Sequence, residues 1–243
     1  MMTLDIIESG SKANGYVLHD ESEAIILECG CPLLECEKIL GFNHSKIQAV
    51  LISHEHSDHA RFAKQYAFSA LKVCSTTATL DAIGIQKSMR KDLEPKAAYR
   101  FGGFLVVPFR TQHDAVDPCG FLIDCPDGNR VVFATDTYYL KYTFPKVNYF
   151  MIECNYTKKV LQTNVESGLV HPAVARRIRE SHMSIDRCID TLKANDLSQT
   201  KAVILLHTSK DNSSEKQVII DTVQREIGKA VIIAEKSTKI LFL

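Results

Sequence analysis

The 243-residue sequence has no excess of charge of either sign: 29 lysines and arginines stand against 29 aspartates and glutamates. No global field therefore draws the protein onto nucleic acid or an anionic membrane, and any such binding must be local. Long hydrophobic runs are also lacking. Ala202–Leu206 and Val231–Ala234 fall far below the roughly 20 apolar residues that cross a bilayer, so no membrane span is expected. The opening residues Met1-Met2-Thr3-Leu4-Asp5 carry neither the basic nor the apolar region of a secretory leader, which points to the cytoplasm. No linker rich in glycine, serine or proline, no low-complexity tract and no internal repeat interrupts the chain, and a single domain over residues 1–243 follows. With 45% hydrophobic and 24% charged residues, disordered, collagen-like and coiled-coil chains are excluded.

Cysteine is present in quantity, at eight residues. Disulfide frameworks belong to short secreted chains, so reduced thiols are the expectation. Cys29, Cys31 and Cys36 lack the paired two-residue spacing of zinc knuckles and read as structural.

Apolar, β-branched segments recur at Thr3–Glu8, Tyr16–His19, Ala24–Glu28, Ala49–Ser53, Phe104–Arg110, Gly120–Asp124, Arg130–Thr135, Tyr149–Glu153, Lys201–His207 and Ala230–Ala234. Several are apolar throughout, the mark of strands covered on both faces. Pro126-Asp127-Gly128-Asn129 supplies a hairpin turn. Helices are expected over Leu33–Leu40, Ala60–Ala70, Ala173–Arg179, from Ser184 as N-cap, and over Ser213–Ile227. For the last, Asn212 and Glu215 make a capping box, Ile220, Val223 and Ile227 an apolar stripe, and Gly228 the stop. Strands and helices thus mix in an α/β domain with sheets at the centre and helices outside.

The chemistry concentrates directly after the apolar strand Ala49–Ser53. His54-Glu55-His56-Ser57-Asp58-His59 packs four metal-ligand types into six residues, and imidazole with carboxylate is the donor set borderline divalent cations prefer. His113, Asp136 and His207 each sit at or just past the end of an expected strand, where one sheet rim gathers side chains. Seven ligands can then build two sites: His54, His56 and His113 on one ion, Asp58, His59 and His207 on the other, with Asp136 bridging. His19, His44 and His171 lie outside this pattern, and His171 reads as a surface loop residue. Glu55 and Ser57 should point away from the ions, Glu153 and Asn155 should fix loops, and Asp114 either orients a neighbour or touches substrate.

The segment His54–His59 matches in full the H-x-H-x-D-H motif of the metallo-β-lactamase superfamily of metallohydrolases, which this sequence resembles. The resemblance extends over nearly the whole chain to the YycJ/WalJ-like branch, and more loosely to PhnP-like phosphodiesterases and tRNase Z. It is carried by Ser9-Gly10-Ser11-Lys12-Ala13-Asn14-Gly15-Tyr16, the Gln112–Phe121 segment, Ala134-Thr135-Asp136-Thr137, Ile152–Tyr156, Ser181-His182-Met183-Ser184 and Leu206–Asn212. Thr-Gln-His-Asp around His113 differs from the P-G-H-T of thioester hydrolases and β-lactamases. What the resemblance implies is a four-layer αβ/βα sandwich with two central mixed sheets, and a dinuclear enzyme that hydrolyses phosphodiesters, with DNA exonuclease activity attributed to the branch. His182 looks like the histidine of the H-S-T or H-M-T segment of tRNase Z and is expected to serve the leaving oxygen or the phosphoryl charge. Where the family usually has aspartate before its metal loop, Ile26-Leu27-Glu28-Cys29-Gly30 offers Glu28, one methylene longer, which is expected to shift the support of the metal loop without abolishing binding.

Two divalent ions, Zn²⁺ first and Mn²⁺ as the alternative, would supply the activated nucleophile and charge stabilisation. Asp58 would steer that nucleophile besides ligating. The substrate is DNA or, as the second reading, a cyclic nucleotide; an inactive metal-stabilised scaffold is the non-enzyme alternative. Arg176, Arg177 and Arg179 are candidate guides for substrate phosphates, no membrane partner is expected, and a homodimer is left open.

Overall fold

Three of the apolar segments are buried completely. In this computed structural model, which describes residues 1–242, every residue of Ala24–Leu27, Tyr149–Glu153 and Ala202–Leu206 is buried. Each of these strands has a parallel neighbour, the pairing that leaves no polar face to water.

The strands are β1 (Thr3–Glu8), β2 (Gly15–His19), β3 (Ala24–Leu27), β4 (Ile47–Leu51), β5 (Val73–Ser75), β6 (Arg90–Asp92) and β7 (Tyr99–Phe101). They continue as β8 (Phe104–Arg110), β9 (Cys119–Asp124), β10 (Arg130–Ala134), β11 (Tyr149–Glu153), β12 (Ala202–Leu206), β13 (Ala230–Ile233) and β14 (Thr238–Leu241). The helices are α1 (Leu33–Ile39), α2 (Ser57–Ala60), α3 (Ala63–Phe68), α4 (Thr77–Ile83), α5 (Lys158–Glu166), α6 (Pro172–Ser181), α7 (Ile185–Lys193) and α8 (Lys216–Ile227). Two mixed sheets of seven strands result, ordered β14-β1-β2-β3-β4-β5-β6 and β13-β12-β11-β10-β9-β8-β7, with helices around them. This is the α/β sandwich architecture expected above. No helix among the described residues is long and apolar enough to cross a membrane.

By its contacts the chain divides into two compact units. The first comprises Met1–Arg110, Ala115–Asn129 and the chain from Glu235; the second comprises Thr111–Asp114 and Arg130–Ala234. In the first, β3 and β4 run parallel with Leu27 opposite Leu51, so Glu28 and Ser53 leave the sheet at the same edge. The core here includes Val17, Ile26, Leu33, Val50, Ile52, Tyr66, Val73 and Leu80. In the second, β10, β11 and β12 run parallel with Ala134 opposite Ile152 and Glu153 opposite Leu206. Asp136, Asn155 and His207 therefore emerge past the carboxyl ends of neighbouring strands, where α/β sheets place ligands.

Local chemistry accounts for where the elements depart from expectation. The helix expected over Ala60–Ala70 is broken between α2 and α3, because the Phe62 N–H donates to the Cys29 carbonyl at 2.9 Å instead of continuing one helix. α8 starts at Lys216, not Ser213, and the capping box of Asn212 and Glu215 does not form. The Ser213 hydroxyl and the Ser214 N–H are held by Ser209 and Thr157, which keeps that segment in the loop. The stripe of α8 buries Ile219 and Val223, with Ile220 only partly covered. Ser184 caps α7 by accepting from the Arg187 N–H, and Gly228 ends α8 at a φ of 65°. His171 is more than a loop residue, since its ring accepts from the Ala173 N–H and caps α6.

α5 and α6 meet through Leu161, Tyr156 and Ala175, all buried, with Val165, Val170 and Ile178 around them. This contact sets where α6 ends and so where His182 begins. Leu161→Ala should destabilise the protein by about 3 kcal/mol, the usual scale of a buried Leu truncation, read as a lower urea midpoint with unchanged slope.

Candidate metal centre

In the first unit, the loop after β4 gathers His54, His56, Asp58 and His59, and the side chains fall into two donor pairs. His54 Nε2 lies 3.1 Å from His56 Nδ1, and His59 Nε2 lies 3.4 Å from Asp58 Oδ2. Two ligand atoms about 2.0–2.1 Å from a tetrahedral zinc lie about 3.3 Å apart, so both pairs have the spacing of neighbouring ligands on one ion.

The supports of this loop are backbone bonds and one glycine. Asn14 N–H donates to the Asp58 carbonyl at 2.7 Å, Cys29 N–H to the His59 carbonyl at 2.6 Å, and Gly30 N–H to the Asn14 carbonyl at 2.9 Å. A Cβ at Gly30 would lie 1.8 Å from the Asp58 carbonyl oxygen, so only glycine allows the ligand loop to lie against this segment. The Asn14 amide also contacts His59 Nε2 at 3.0 Å and Asp58 Oδ2 at 3.4 Å. Glu55 turns aside to accept from the Val116 N–H at 2.9 Å, and Ser57 is exposed.

Glu28 fills the place of the usual aspartate. It is fully buried, takes a φ of 69°, and accepts the Ser53 N–H at 3.2 and 3.3 Å. Its Oε2 lies 3.5 Å from His59 Nδ1, which leaves Nε2 as the ligand atom, a carboxylate behind a metal-facing histidine.

The second unit contributes His113, Asp136, His182 and His207. His113 Nδ1 donates to the Ser181 carbonyl at 2.8 Å, so its Nε2 faces Asp136 Oδ2 at 3.7 Å. Burial pushes the His113 pKa below its ordinary value, although Asp136 opposes this, and a neutral imidazole is the form that ligates. On the other side of the same carboxylate, His207 Nε2 lies 3.8 Å from Asp136 Oδ1. One carboxylate thus presents each oxygen to a different imidazole, the arrangement of a bridging ligand. The Thr135 hydroxyl donates to Asp136 Oδ1 at 2.8 Å, and the Asn155 amide donates to the His207 carbonyl at 2.8 Å. Asp136 and His207 both have positive φ, 41° and 51°. A non-glycine residue is held at such angles only by its surroundings, and such strain gathers at functional sites.

His182 follows α6 and lies between the rings of two expected ligands. It stacks on His207 with centroids 5.4 Å apart and meets His113 edge-on at 5.2 Å. Its Nδ1 is 2.6 Å from Glu153 Oε1. Burial pushes its pKa down, but Glu153, with smaller help from Asp136 and Asp114, outweighs burial and carries it up to about 9.

Glu153 is the site residue whose importance exceeds its reading as a loop fixer. It is fully buried, accepts from the Thr137 and Met183 N–H groups at 2.7 and 3.1 Å as well as from His182, and joins Asp136, His182 and His207 in one cluster of donor atoms. The available signal was a carboxylate ending the otherwise apolar strand Tyr149–Glu153. The arginine trio before His182 does not act together: Arg176 pairs with Glu180, Arg177 with Asp114, and Arg179 donates to Gln162. Asp114 itself lies 3.3 Å from His113 Nε2.

The residues fit a divalent metal: imidazole and carboxylate donors, buried, at ligand spacing, with Nδ1–H bonds or carboxylates behind the rings. Comparison with known proteins points the same way. Residues 38–208 match the family model described as a beta-lactamase superfamily domain. The exodeoxyribonuclease WalJ of Streptococcus pneumoniae is 25% identical over 225 residues, 86% of this chain and 82% of that protein. The exodeoxyribonuclease YycJ of Bacillus anthracis is 22% identical over 229 residues, 87% of this chain and 84% of that protein. The crystal structure of the metallo-beta-lactamase fold protein YhfI from Bacillus subtilis superposes with a TM-score of 0.74 at 18% identity, covering 99% of this chain and 100% of that one.

The His182–Glu153 pair has a pH signature in the metal-stripped protein. A histidine whose pKa rises on folding adds stability that is fully present below its unfolded value of about 6.5 and is lost as pH rises through about 9. The urea midpoint should therefore fall between neutral pH and pH about 9, and Glu153→Gln should flatten that slope.

Proposed function

Because the chain belongs to the beta-lactamase superfamily and is a metal-dependent hydrolase, we propose that it cleaves phosphodiester bonds in DNA as an exonuclease, using two zinc ions, with manganese as the alternative metal. The observation that carries this reading is the Asp136 carboxylate with a histidine facing each oxygen. His54, His56 and His113 would hold one ion and Asp58, His59 and His207 the other, with Asp136 shared. Residues 1–243 are proposed to act as one functional domain. The exodeoxyribonuclease relatives favour DNA over a small phosphodiester, and eight buried thiols suit the reducing cytoplasm.

When bound, the two ions would lower the pKa of a water molecule and neutralise charge on the phosphoryl oxygens. The protein's own groups do the rest. Asp58 Oδ2, fixed beside His59 Nε2 and the Asn14 amide, orients the attacking water. His182, paired with Glu153 through Nδ1 at 2.6 Å, donates its Nε2 proton to the leaving oxygen, and Glu153 then holds the neutral ring through Nδ1. Asn155 and Ser181 keep the flanking imidazoles in place.

The test compares 5′-labelled single- and double-stranded DNA with a panel of cyclic nucleotides, using metal-loaded protein. Progressive shortening of DNA is expected, reduced about 10³-fold or more by Asp58→Ala and about 10²–10³-fold by His182→Ala. Cyclic-nucleotide opening with intact DNA would replace the exonuclease reading by a small-molecule one, and absence of any phosphodiester cleavage would overturn both.

A further inference from the structure

A second cluster of charge in the second unit lies outside the ligand set. Tyr156, Lys158, Lys159, Gln162, Arg179 and Arg187 line an open cavity of about 560 Å³. Four of these six residues are cations and none is a carboxylate, in a chain whose charges balance 29 to 29. The cavity is therefore a local positive field of the kind an otherwise neutral protein needs to hold a polyanion.

The charges are positioned but not neutralised. Arg179 donates Nη2 to the Gln162 side-chain oxygen at 3.0 Å, and Arg187 donates Nη1 to the Tyr138 carbonyl at 3.4 Å while its guanidinium lies 5.3 Å from the Tyr138 ring centre. Both guanidiniums are thus fixed by neutral groups. Lys158 pairs with Asp186 at 3.0 Å, but both side chains are 60% exposed, where an ion pair holds little. Lys159 has no ion pair among the described residues. The buried Tyr156 forms the floor of the cavity.

The cavity is tied to the face that carries His182. The Tyr156 carbonyl accepts from the Ile185 N–H at 3.0 Å, and Asn155 N–H donates to the Met183 carbonyl at 2.9 Å. Its floor is therefore adjacent in the chain to Asn155, which holds His207, and its Arg187 wall lies one helical turn past the Ser184 cap that follows His182. The cavity and His182 are thus built on the same elements, Arg179 lying on α6, which His182 ends, and Arg187 on α7.

We propose that this cavity binds a backbone phosphate of the nucleic-acid strand beside the scissile one, gripped by the two arginine forks and the paired lysines. The proposal rests on the phosphodiesterase reading of the metal centre and adds a strand-binding subsite that nothing in that reading requires. Arginine supplies planar bidentate donors to phosphate oxygens and lysine a mobile charge.

The test uses the metal-loaded full-length Lys158→Ala/Lys159→Ala variant, both positions being exposed. Anisotropy of a fluorescein-labelled, phosphorothioate-linked oligothymidylate should show Kd about tenfold weaker. The slope of log K against log salt should shrink by about 1.4 for two lost single-strand contacts. Hydrolysis of bis(p-nitrophenyl) phosphate, too short to reach the cavity, should stay within about twofold, because no chemistry at the metal centre is altered. An unchanged Kd and slope would overturn the proposal. So would an equal loss on the small ester, or thymidine 5′-monophosphate binding as tightly as the oligonucleotide with the same loss. Weakened oligonucleotide binding in a protein that cleaves no DNA would uphold the subsite while removing the nuclease reading, which keeps the two failures apart.

Discussion

The arrangement on which the site depends is a buried carboxylate that faces an imidazole with each of its oxygens. Asp136 lies 3.7 Å from His113 Nε2 and 3.8 Å from His207 Nε2. These distances exceed hydrogen bonds and suit donors that converge on ions. A carboxylate held in the interior needs compensation by charge or hydrogen bonds; the Thr135 hydroxyl supplies one such bond, and bound divalent metal would supply the charge. The surrounding structure serves this geometry: the Thr135 hydroxyl, the Ser181 carbonyl behind His113 and the Asn155 amide behind His207 each fix one member.

That precision has a conformational cost. Glu28, Asp136 and His207 all take positive φ within two residues of strand ends, at about 1–3 kcal/mol each. Fully buried parallel strands and short backbone bonds such as Glu28 N–H to the Leu51 carbonyl at 2.8 Å offset it. Gly30 shows the same constraint as packing, since the loop bearing Asp58 and His59 lies where any side chain would stand. Fold and site are thus one problem: the sheet edges provide rigidity, and the residues just past them spend it on directing ligands.

Much of this was legible from the residues. Four ligand types in six positions after an apolar strand, and three further candidates at or past strand ends, mark candidate donors, and within the second unit parallel pairing brings Asp136 and His207 past the ends of nearby strands. The ten expected strands were legible from their apolar, β-branched content, several of them lacking any polar face. The three-residue strands β5, β6 and β7 were not, because so short a segment shows no period. The terminal β14 mixes Thr238 and Lys239 with Ile240 and Leu241 and forms by pairing with β1. The start of α8 was misread because Ser213 and Ser214 bond across the loop to Ser209 and Thr157, a tertiary effect that no cap pattern contains. Glu153 was undervalued because the sequence says it is on a strand, and only the fold says that His182 lies against it. The arginines before His182 looked like one patch, whereas two of them pair with nearby carboxylates and the cationic cavity takes its remaining charges from Lys158, Lys159 and Arg187.

The most direct measurement is the metal stoichiometry of the purified protein and of Asp136→Ala, by calorimetric zinc titration of chelator-treated samples with elemental analysis of the product. A shared carboxylate predicts two ions per chain in the parent protein and loss of at least one tight site in the variant, with the fold retained. One ion in the parent, or two equally tight ions in Asp136→Ala, would contradict it.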